Sequence, residues 1–271
     1  MPAISPFDEL ANTYDDDFTT SRIGQLQRKR VWKFLLPLLT ETDRPLNILE
    51  MNCGTGEDAL RLASIGHHVV ATDASNAMIA KAKEKMAGKT NPDSRIQFYT
   101  CSFDQLRNSF RGQKFDLIFS NFGGLNCIDK HALCQLRDEL GSLLSVEGKL
   151  FFVVMGRFCI GEIVYFGIRG KLSSAFRRLR RSLDFTINGN TIPVYYYSPA
   201  TLKAIFCPTF RFLQKEPVGL FIPPTYREKR SGADLQKLRH LERIENKLAF
   251  SSLAAFADHF CVVFKKPGTN K

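Results

Sequence analysis

The chain has 271 residues, 44% of them hydrophobic and 24% charged, which is typical of a globular protein that can bury a full core. No stretch reaches the roughly 18 to 20 apolar residues of a membrane-spanning helix, and the amino end, MPAISPFDEL, lacks the basic start and apolar stretch of a secretory signal. The formal net charge of +11 favours anionic partners, which include nucleic acids, acidic small molecules and anionic membrane surfaces.

Over residues 1–156, short apolar runs alternate with amphipathic patterns. The runs predict strands at Asn47–Met51, His68–Thr72, Ile96–Thr100, Phe115–Ser120 and Lys149–Met155. The patterns predict helices at Gln25–Leu39, Asp58–Ile65, Met78–Ala87 and Lys130–Leu144. Alternation of this kind predicts an α/β fold: a Rossmann-like, doubly wound, mostly parallel seven-stranded sheet with helices on both faces. We interpret this region as an N-terminal helix followed by a cofactor-binding core.

The pattern changes after Gly156. Residues 157–198 are predicted to form a helical cap that binds the substrate; they contain the basic amphipathic segment Arg157–Arg181, a polar turn at Asn188–Asn190 and the aromatic run Tyr195–Tyr197. Residues 199–271 are predicted to complete the core, with a helix at Pro199–Phe206, strand-like pieces at Phe210–Lys215 and Val218–Ile222, and a last strand at Phe260–Phe264. A second insertion, the helical pattern at 224–256, interrupts this part, and the chain is one domain overall.

A glycine-bearing loop, Asn52–Gly56, joins the first strand to its helix. Such a loop lets a ligand approach the backbone beside the helix N-terminus. Ligands on sheets of this kind bind at the carboxyl ends of the strands. Asp73, 23 positions after Glu50, ends the second strand. A carboxylate in that place can accept hydrogen bonds from both hydroxyls of an adenosine ribose.

Two cofactors compete for this loop. The segment Gly54–Ala59 matches the GxGxxA dinucleotide fingerprint, which indicates an NAD(P)-dependent oxidoreductase. However, Glu50, Glu57 and Asp58 crowd the loop and would repel a pyrophosphate by an energy on the order of 1 kcal/mol. The positive sulfonium and ammonium of S-adenosylmethionine suit an acidic loop better.

The first motif of the class I S-adenosylmethionine-dependent methyltransferases runs acid-x-G-x-G-x-G, and this chain resembles it with Glu50-x-Asn52-x-Gly54-x-Gly56. The resemblance covers about residues 7–155 and the terminal strand. Asparagine replaces the first glycine, and it is the residue other than glycine that best tolerates left-handed backbone. The resemblance implies S-adenosylmethionine as cofactor and a methyltransferase activity, EC 2.1.1.-, that needs no metal.

The resemblance also implies which residues bind the cofactor. The family places its ribose-binding acid at Asp73 and an adenine-contacting acid near Cys101-Ser102-Phe103, where Ser102 now stands in place of the acid. The segment Ala11–Asp15 resembles one that closes over the cofactor in many members. The implied set is Tyr14, Glu50, Asn52, Gly54, Gly56, Asp58, Asp73, Ala74, Met78, Ser102, Phe103 and Asn121.

The sequence gives less information about the methyl acceptor than about the cofactor. No residue identifies itself as catalytic, and we interpret His131 as a surface residue at a helix start. Small-molecule members of the family place specificity elements after the fifth strand. We therefore expect an acidic or carboxylate-bearing small molecule, bound by Arg157, Tyr165, Arg169 and Tyr196. As an alternative, the basic amphipathic segment makes peripheral contact with an anionic membrane to reach a lipid-like acceptor.

Other classes are disfavoured or left open. Base-methylating members usually carry N/D-P-P-Y/F after the fourth strand, whereas this chain has Asn121-Phe-Gly-Gly, so a nucleic-acid acceptor is not expected. The seven cysteines are scattered and lack a CxxC pair, which predicts no metal site and a reduced, cytoplasmic protein. A non-catalytic S-adenosylmethionine-binding protein and an NAD(P)-dependent oxidoreductase remain as alternatives.

Overall fold

The computed structural model describes residues 5–88, 95–187, 190–231 and 234–268. Its strands are β1 (Asn47–Met51), β2 (His68–Asp73), β3 (Ile96–Thr100), β4 (Phe115–Ser120), β5 (Leu144–Met155), β6 (Leu183–Ile187), β7 (Asn190–Val194), β8 (Arg211–Val218) and β9 (His259–Lys265). Seven of these strands form one sheet in the order β3-β2-β1-β4-β5-β9-β8, and β6 and β7 form a separate hairpin.

The helices cover the sheet and begin at residues that suit a helix start. They are α1 (Arg22–Leu39), α2 (Glu57–Ser64), α3 (Asn76–Ala87), α4 (Leu106–Ser109), α5 (Lys130–Leu143), α6 (Ile160–Gly167), α7 (Leu172–Ala175), α8 (Pro199–Phe206), α9 (Tyr226–Ser231) and α10 (Leu235–Leu248). Side-chain oxygens accept otherwise unpaired backbone N–H groups at five of these starts, and the residues that supply them are Ser21, Ser75, Asp129, Ser198 and Asp234.

The sheet topology confirms the predicted fold class. The five strands β3-β2-β1-β4-β5 are parallel to their neighbours, whereas β9 runs antiparallel between β5 and β8. Because β2 and β4 flank β1, the strand order reverses at β1. A crevice therefore opens there at the carboxyl ends of the strands, where ligands bind in folds of this type.

Two apolar clusters pack against the two faces of the sheet. In β1, Ile48 belongs to the cluster that contains Trp32 of α1, whereas Leu49 belongs to the cluster that contains Leu140 of α5. Successive residues of a strand point to opposite faces. Burial on both faces explains why the predicted strands are apolar almost throughout.

Residues 157–198 form α6, α7 and the β6–β7 hairpin, so the predicted helical cap is only partly helical. Residues 188 and 189 of the predicted turn lie outside the described residues. The buried Asn126 attaches the hairpin to the sheet. Its amide nitrogen donates to the carbonyl of Tyr195 (2.6 Å), and its amide oxygen accepts the N–H of Met155 (2.9 Å).

The region after α8 also differs from the sequence prediction. Of the two predicted strand-like pieces, the first belongs to β8, whereas residues 219–222 of the second lie outside any strand. The helical pattern at 224–256 divides into α9, α10 and a 3-10 segment at Ser251–Phe256. Residues 232 and 233 lie outside the described residues. A new helix begins at α10 because the side chain of Asp234 accepts the N–H of Gln236.

In residues 5–88, 95–187, 190–231 and 234–268, no helix combines the length and the apolarity that crossing a membrane requires. No three side chains of the metal-ligating types cluster there. All seven cysteines are free thiols.

Candidate active site

The loop after β1 adopts a left-handed backbone at Asn52 (φ 49°), Gly54 (φ 55°) and Gly56 (φ 78°). Left-handed backbone explains why only asparagine and glycine occupy these places. The Asn52 side chain also joins the loop to the end of β4. Its nitrogen donates to the carbonyl of Asn121 (2.7 Å), and its oxygen accepts the hydroxyl of Ser120 (2.6 Å).

Asp73 ends β2 and fixes the same loop from the other side. One carboxylate oxygen accepts the N–H of Gly54 (2.9 Å), and the other accepts the N–H of Ser75 (2.9 Å). Burial raises the pKa of this carboxyl group, although both hydrogen bonds act in the opposite direction. Because each carboxylate oxygen has two lone pairs, Asp73 can still accept hydroxyl hydrogens from a ligand.

A cavity of about 690 Å³, here called the main cavity, lies at this edge of the sheet. Its volume is within the roughly 300 to 1,000 Å³ of small-molecule sites. The predicted cofactor-binding residues that line it are Tyr14, Asn52, Gly54, Asp73, Ala74, Met78, Ser102 and Phe103. Carbon-rich side chains form much of the remaining wall: Phe7, Leu10, Phe122, Cys127, Ile128, Ala132, Leu136, Met155, Phe185, Ile192 and Val194.

A smaller polar pocket shares Tyr14, Asn52 and Phe122 with the main cavity. The predicted cofactor-binding residues Glu50, Asp58 and Asn121 line this polar pocket, as does Arg28. Among the described residues that line it, buried polar atoms without a hydrogen-bond partner include the Glu50 Oε2, Asn121 Oδ1 and Arg28 Nε. Unpaired buried polar atoms are costly, at about 1 to 3 kcal/mol each. Their convergence indicates that a polar ligand completes the pocket.

Asp58 and Arg28 form the floor of the polar pocket. The Asp58 carboxylate pairs with the Arg28 guanidinium and accepts the Trp32 indole N–H (2.7 Å) and the Asn121 amide (2.8 Å). Arg28 also lies over the Phe122 ring, 5.4 Å from its centre. Asp58 is thereby committed to holding Arg28, so its own carboxylate has little capacity left for a ligand.

Comparison with known proteins agrees with this geometry. Residues 48–148 match the family model of a methyltransferase domain. Over 146 residues, the chain is 30% identical to the demethylmenaquinone methyltransferase of Clavibacter sepedonicus. The aligned region covers 53% of this chain and 54% of that relative. Over 97 residues, the chain is 31% identical to the tRNA 5-carboxymethoxyuridine methyltransferase of Escherichia coli strain K12, covering 35% and 37%. The chain thus spans about half or less of the length of these curated relatives.

The fold is shared over nearly the whole chain with the CcbJ methyltransferase from Streptomyces caelestis. That structure has a TM-score of 0.63 and 15% identity, and the match covers 98% of this chain and 99% of the other. Residues 48–148 thus match a methyltransferase domain, and the chain shares its fold with a solved methyltransferase structure. The domain match supports S-adenosylmethionine as the cofactor, and solved structures of this fold include complexes with its demethylated product, S-adenosylhomocysteine.

The polar pocket fits one end of that cofactor. Glu50 Oε2 and Asn121 Oδ1 are acceptors that suit an ammonium group, whereas Arg28 Nε is a donor that suits a carboxylate. The amino-acid end of S-adenosylmethionine carries both groups. Burial raises the pKa of Glu50 well above its usual range, and the Asp58 charge adds to the effect. A cationic ligand would therefore favour the ionised form of Glu50.

The acidic residues of the loop are partly compensated in the structure, contrary to the expectation from the sequence. Glu50, Glu57 and Asp58 were taken as three uncompensated negative charges. In the structure Asp58 pairs with Arg28, Glu57 lies 3.7 Å from the Lys85 ammonium, and burial favours the neutral form of Glu50. The loop is therefore less negative than its composition suggests. The positions of the acceptor atoms of Glu50 and Asn121, rather than the net charge of the loop, favour S-adenosylmethionine over a dinucleotide.

The segment before α1, which includes Tyr14, packs against the loop. Asp8 accepts the Ser75 hydroxyl (2.5 Å) and the N–H of Ala77 (3.1 Å), which ties the segment to the start of α3. Asp15 accepts the Thr55 hydroxyl (2.6 Å). The Tyr14 ring would be 3.5 Å from a Cβ added at Gly54. Burial raises the pKa of Tyr14 to about 12, so its phenol stays neutral at pH 7.

Five predicted site residues line neither cavity. A Cβ at Gly56 would lie 2.9 Å from Ala82 and Phe98, so its missing side chain serves the packing of α3 and β3 against the loop. The four predicted substrate-binding residues are also elsewhere. Arg157 donates to the carbonyl of Leu179, Arg169 donates to the carbonyl of Tyr165 and lies over the Tyr165 ring, and the buried Tyr196 packs against Arg178.

The cap residues that do line the main cavity are apolar and differ from the four predicted substrate-binding residues. Phe185 in β6 and Ile192 and Val194 in β7 line the main cavity. Phe185 pairs with Ile192 in the hairpin register, and residues two apart on a strand share a face. The spacing of two between Ile192 and Val194 is visible in the sequence and could have predicted a strand with one apolar face. Arg28 and Asp104, which lines the main cavity beside Ser102, were also missed.

Proposed function

We propose that this chain transfers a methyl group from S-adenosylmethionine, by in-line displacement, to a neutral, largely apolar small molecule. The observation that carries the proposal is the construction of the main cavity. Its lining combines residues of the left-handed loop and Asp73 with cap side chains such as Ile192 and Val194. One cavity of this kind can hold a donor and an acceptor together.

The lining favours a neutral acceptor over the acidic one expected from the sequence. Among the described residues that line the main cavity, Asp73, Asp104 and Glu139 are acidic, and none is lysine, arginine or histidine. An anionic acceptor would find no positively charged partner among these residues. His131 is exposed at the start of α5 and does not line the cavity. The E. coli relative acts on tRNA, but the apolar cap wall does not favour a polyanion.

The protein's part in the reaction is binding and orientation. Bound S-adenosylmethionine would supply an electrophilic methyl group, so no covalent enzyme intermediate is needed. Asp73 would accept hydrogen bonds from ribose hydroxyls, and Glu50, Asn121 and Arg28 would hold the amino-acid end. Apolar walls exclude water, and orientation alone contributes up to about 7 to 11 kcal/mol in favourable systems. Burial raises the pKa of the Cys127 thiol to about 11, which keeps this lining residue protonated at pH 7.

Two measurements test the proposal. Titration calorimetry should show binding of S-adenosylhomocysteine. Incubation with methyl-labelled S-adenosylmethionine should then transfer label to members of a panel of neutral aromatic and isoprenoid acceptors, with carboxylated analogues and tRNA as comparison arms. Failure to bind S-adenosylhomocysteine would refute the cofactor assignment. Cofactor binding with label moving only to tRNA or to acidic acceptors would refute the acceptor class.

Filling the cap side of the main cavity should separate acceptor binding from cofactor binding. Ile192→Trp adds volume where the hairpin lines the cavity, and we expect kcat/KM for the acceptor to fall by about tenfold or more, equivalent to about 1.4 kcal/mol. Affinity for S-adenosylhomocysteine should change by less than about twofold. Ile65→Trp, at an exposed site after α2, is the matched control. If Ile192→Trp lowered kcat/KM for the acceptor and the affinity for S-adenosylhomocysteine to the same extent, the assignment of the hairpin side of the cavity to the acceptor would be contradicted.

Cofactor binding should release protons from Glu50. The pKa of Glu50 is raised in the free protein, and a bound ammonium group would lower it, so affinity rises with pH between the free and bound pKa values. Calorimetry in buffers of different ionisation enthalpy measures this release. Glu50→Gln removes the titrating group and should abolish the release. A release that persists in Glu50→Gln would assign it to another residue.

A further inference from the structure

The cap carries an apolar surface that the rest of the chain leaves exposed. On α6 and just after it, Ile160, Val164 and Ile168 recur every four residues and are 46%, 56% and 77% exposed. Residues at this spacing lie on one side of a helix. The exposed apolar residues of this region, here called the cap face, are Phe158, Ile160, Val164, Ile168, Leu172 and Phe176.

The buried side of the same helix explains why the cap face stays outside. Glu162 and Phe166 point inward, and the Glu162 carboxylate binds the guanidinium groups of Arg177 and Arg178 at 2.6 and 2.8 Å. A buried ionic cluster thus helps to hold this side of the cap, while the aliphatic side chains of the cap face stay exposed. Large aliphatic residues left on the surface at helical spacing form a patch of the kind used for contacts with membranes or partners.

The chain segment that carries the cap face is rich in exposed positive charge. Residues 157–187 include seven arginines and lysines but only two acidic residues, and one of those two is Glu162, which is already paired. The exposed basic residues are Arg157, Arg169, Lys171, Arg180 and Arg181. A helix with exposed aliphatic residues beside arginine and lysine has the composition of one that lies in an anionic membrane interface.

The same chain segment also forms a wall of the main cavity. Phe185 lines that cavity and is 46% exposed, so the wall reaches the protein surface. A β-bridge joins Gly156, just before the cap, to Tyr197, near its end. Both ends of the cap therefore lie close to Met155, which also lines the main cavity. A surface that contacts the cap face is therefore connected through this segment to the apolar part of the cavity.

We propose that the cap face docks this domain on the surface of an anionic phospholipid membrane, from which an apolar acceptor enters the main cavity past Phe185. This inference rests on the proposed function, because it names the source of that function's acceptor. Insertion of the aliphatic side chains and attraction of the basic residues to lipid phosphates act together. Binding should therefore require anionic lipid and should weaken as salt shortens the range of the charges.

Co-sedimentation with vesicles tests the inference. The full chain should pellet with phosphatidylcholine vesicles containing phosphatidylglycerol at low salt, and with pure phosphatidylcholine vesicles at least about tenfold less. Val164→Glu should lower the partition coefficient by about tenfold or more. Val146→Glu is the matched control, because Val146 is 55% exposed and lies near the other end of β5 from Met155. That control should bind like the wild type.

The outcomes separate this inference from the proposed function. S-adenosylhomocysteine affinity should be unchanged in both valine variants. No vesicle binding by the wild type, equal binding to neutral vesicles, or equal losses in the two variants would overturn membrane docking while cofactor binding stands. Self-association that Val164→Glu abolishes, without vesicle binding, would also overturn it and assign the cap face to a second copy. Loss of cofactor binding by the wild type would refute the proposed function itself.

Discussion

Asp73→Asn should weaken the binding of S-adenosylhomocysteine by about 100-fold. The carboxylate accepts the N–H groups of Gly54 and Ser75 and would accept two ribose hydroxyls as well. An asparagine at this place would turn one acceptor into an NH₂ group that faces a donor. Hydrogen bonds to charged groups contribute about 1.5 to 3 kcal/mol each. Loss of two partners therefore corresponds to a factor of at least about 100 in affinity.

The matched control is Asp116→Asn at the other end of the sheet. Asp116 also accepts a backbone N–H, from Asn47 (2.9 Å), and pairs with Arg44, but it lines neither cavity. This variant should lose some stability and keep full affinity for S-adenosylhomocysteine. Calorimetry and thermal unfolding on both variants separate the two effects. Equal affinity in Asp73→Asn and the wild type would mean that the ribose is bound elsewhere.

The strands of the sheet, and the residues at their carboxyl ends, could be predicted from the sequence because local hydrophobic patterns determine where strands begin and end. The bounds of β1, β3 and β4 agree with the prediction to the residue, since buried strands in a parallel sheet are apolar on both faces. Strand ends also fix where site residues gather. Asn52 and Asp73 follow from that rule, and both line the main cavity.

The cap could not be read in the same way, because its geometry depends on long-range contacts. Arg157 and Arg169 were chosen for their chemical type, but both donate to backbone carbonyls inside the cap. Arg28 was missed because a basic residue in an amphipathic helix is typical of a solvated face. Its partner Asp58 lies 30 positions away, and only the packing of α1 against α2 brings the two together.

The largest expected effect on stability is that of Arg178→Met. The Arg178 guanidinium is buried and donates to the carboxylates of Glu162 (2.8 Å) and Asp258 (2.6 Å) and to the carbonyls of Gly156 and Asp258. Methionine would leave two buried carboxylates short of their partner. Breaking a buried ion pair in this way costs about 3 to 5 kcal/mol. For a chain of this size, the melting temperature should fall by roughly 6 °C or more.

Arg177→Met is the neighbouring control. Arg177 binds the same Glu162 carboxylate, but its side chain is 28% exposed, whereas that of Arg178 is 6% exposed. Water can replace part of what Arg177 supplies, so its loss should cost about 1 kcal/mol. Equal destabilisation by the two variants would indicate that the volume of the side chain, rather than its charge, supports the cap.

The pH dependence identifies the charges as the cause. The arginines hold the pKa of Glu162 below its usual range, and His259 and Arg178 hold the pKa of Asp258 lower still. Groups with depressed pKa values stabilise the fold above their unfolded pKa of about 4 and lose this contribution as pH falls through the folded value. The stability gap between wild type and Arg178→Met should therefore be constant near neutral pH and narrow below about pH 4. A gap that stays constant into acid would show that Arg178 acts through packing alone.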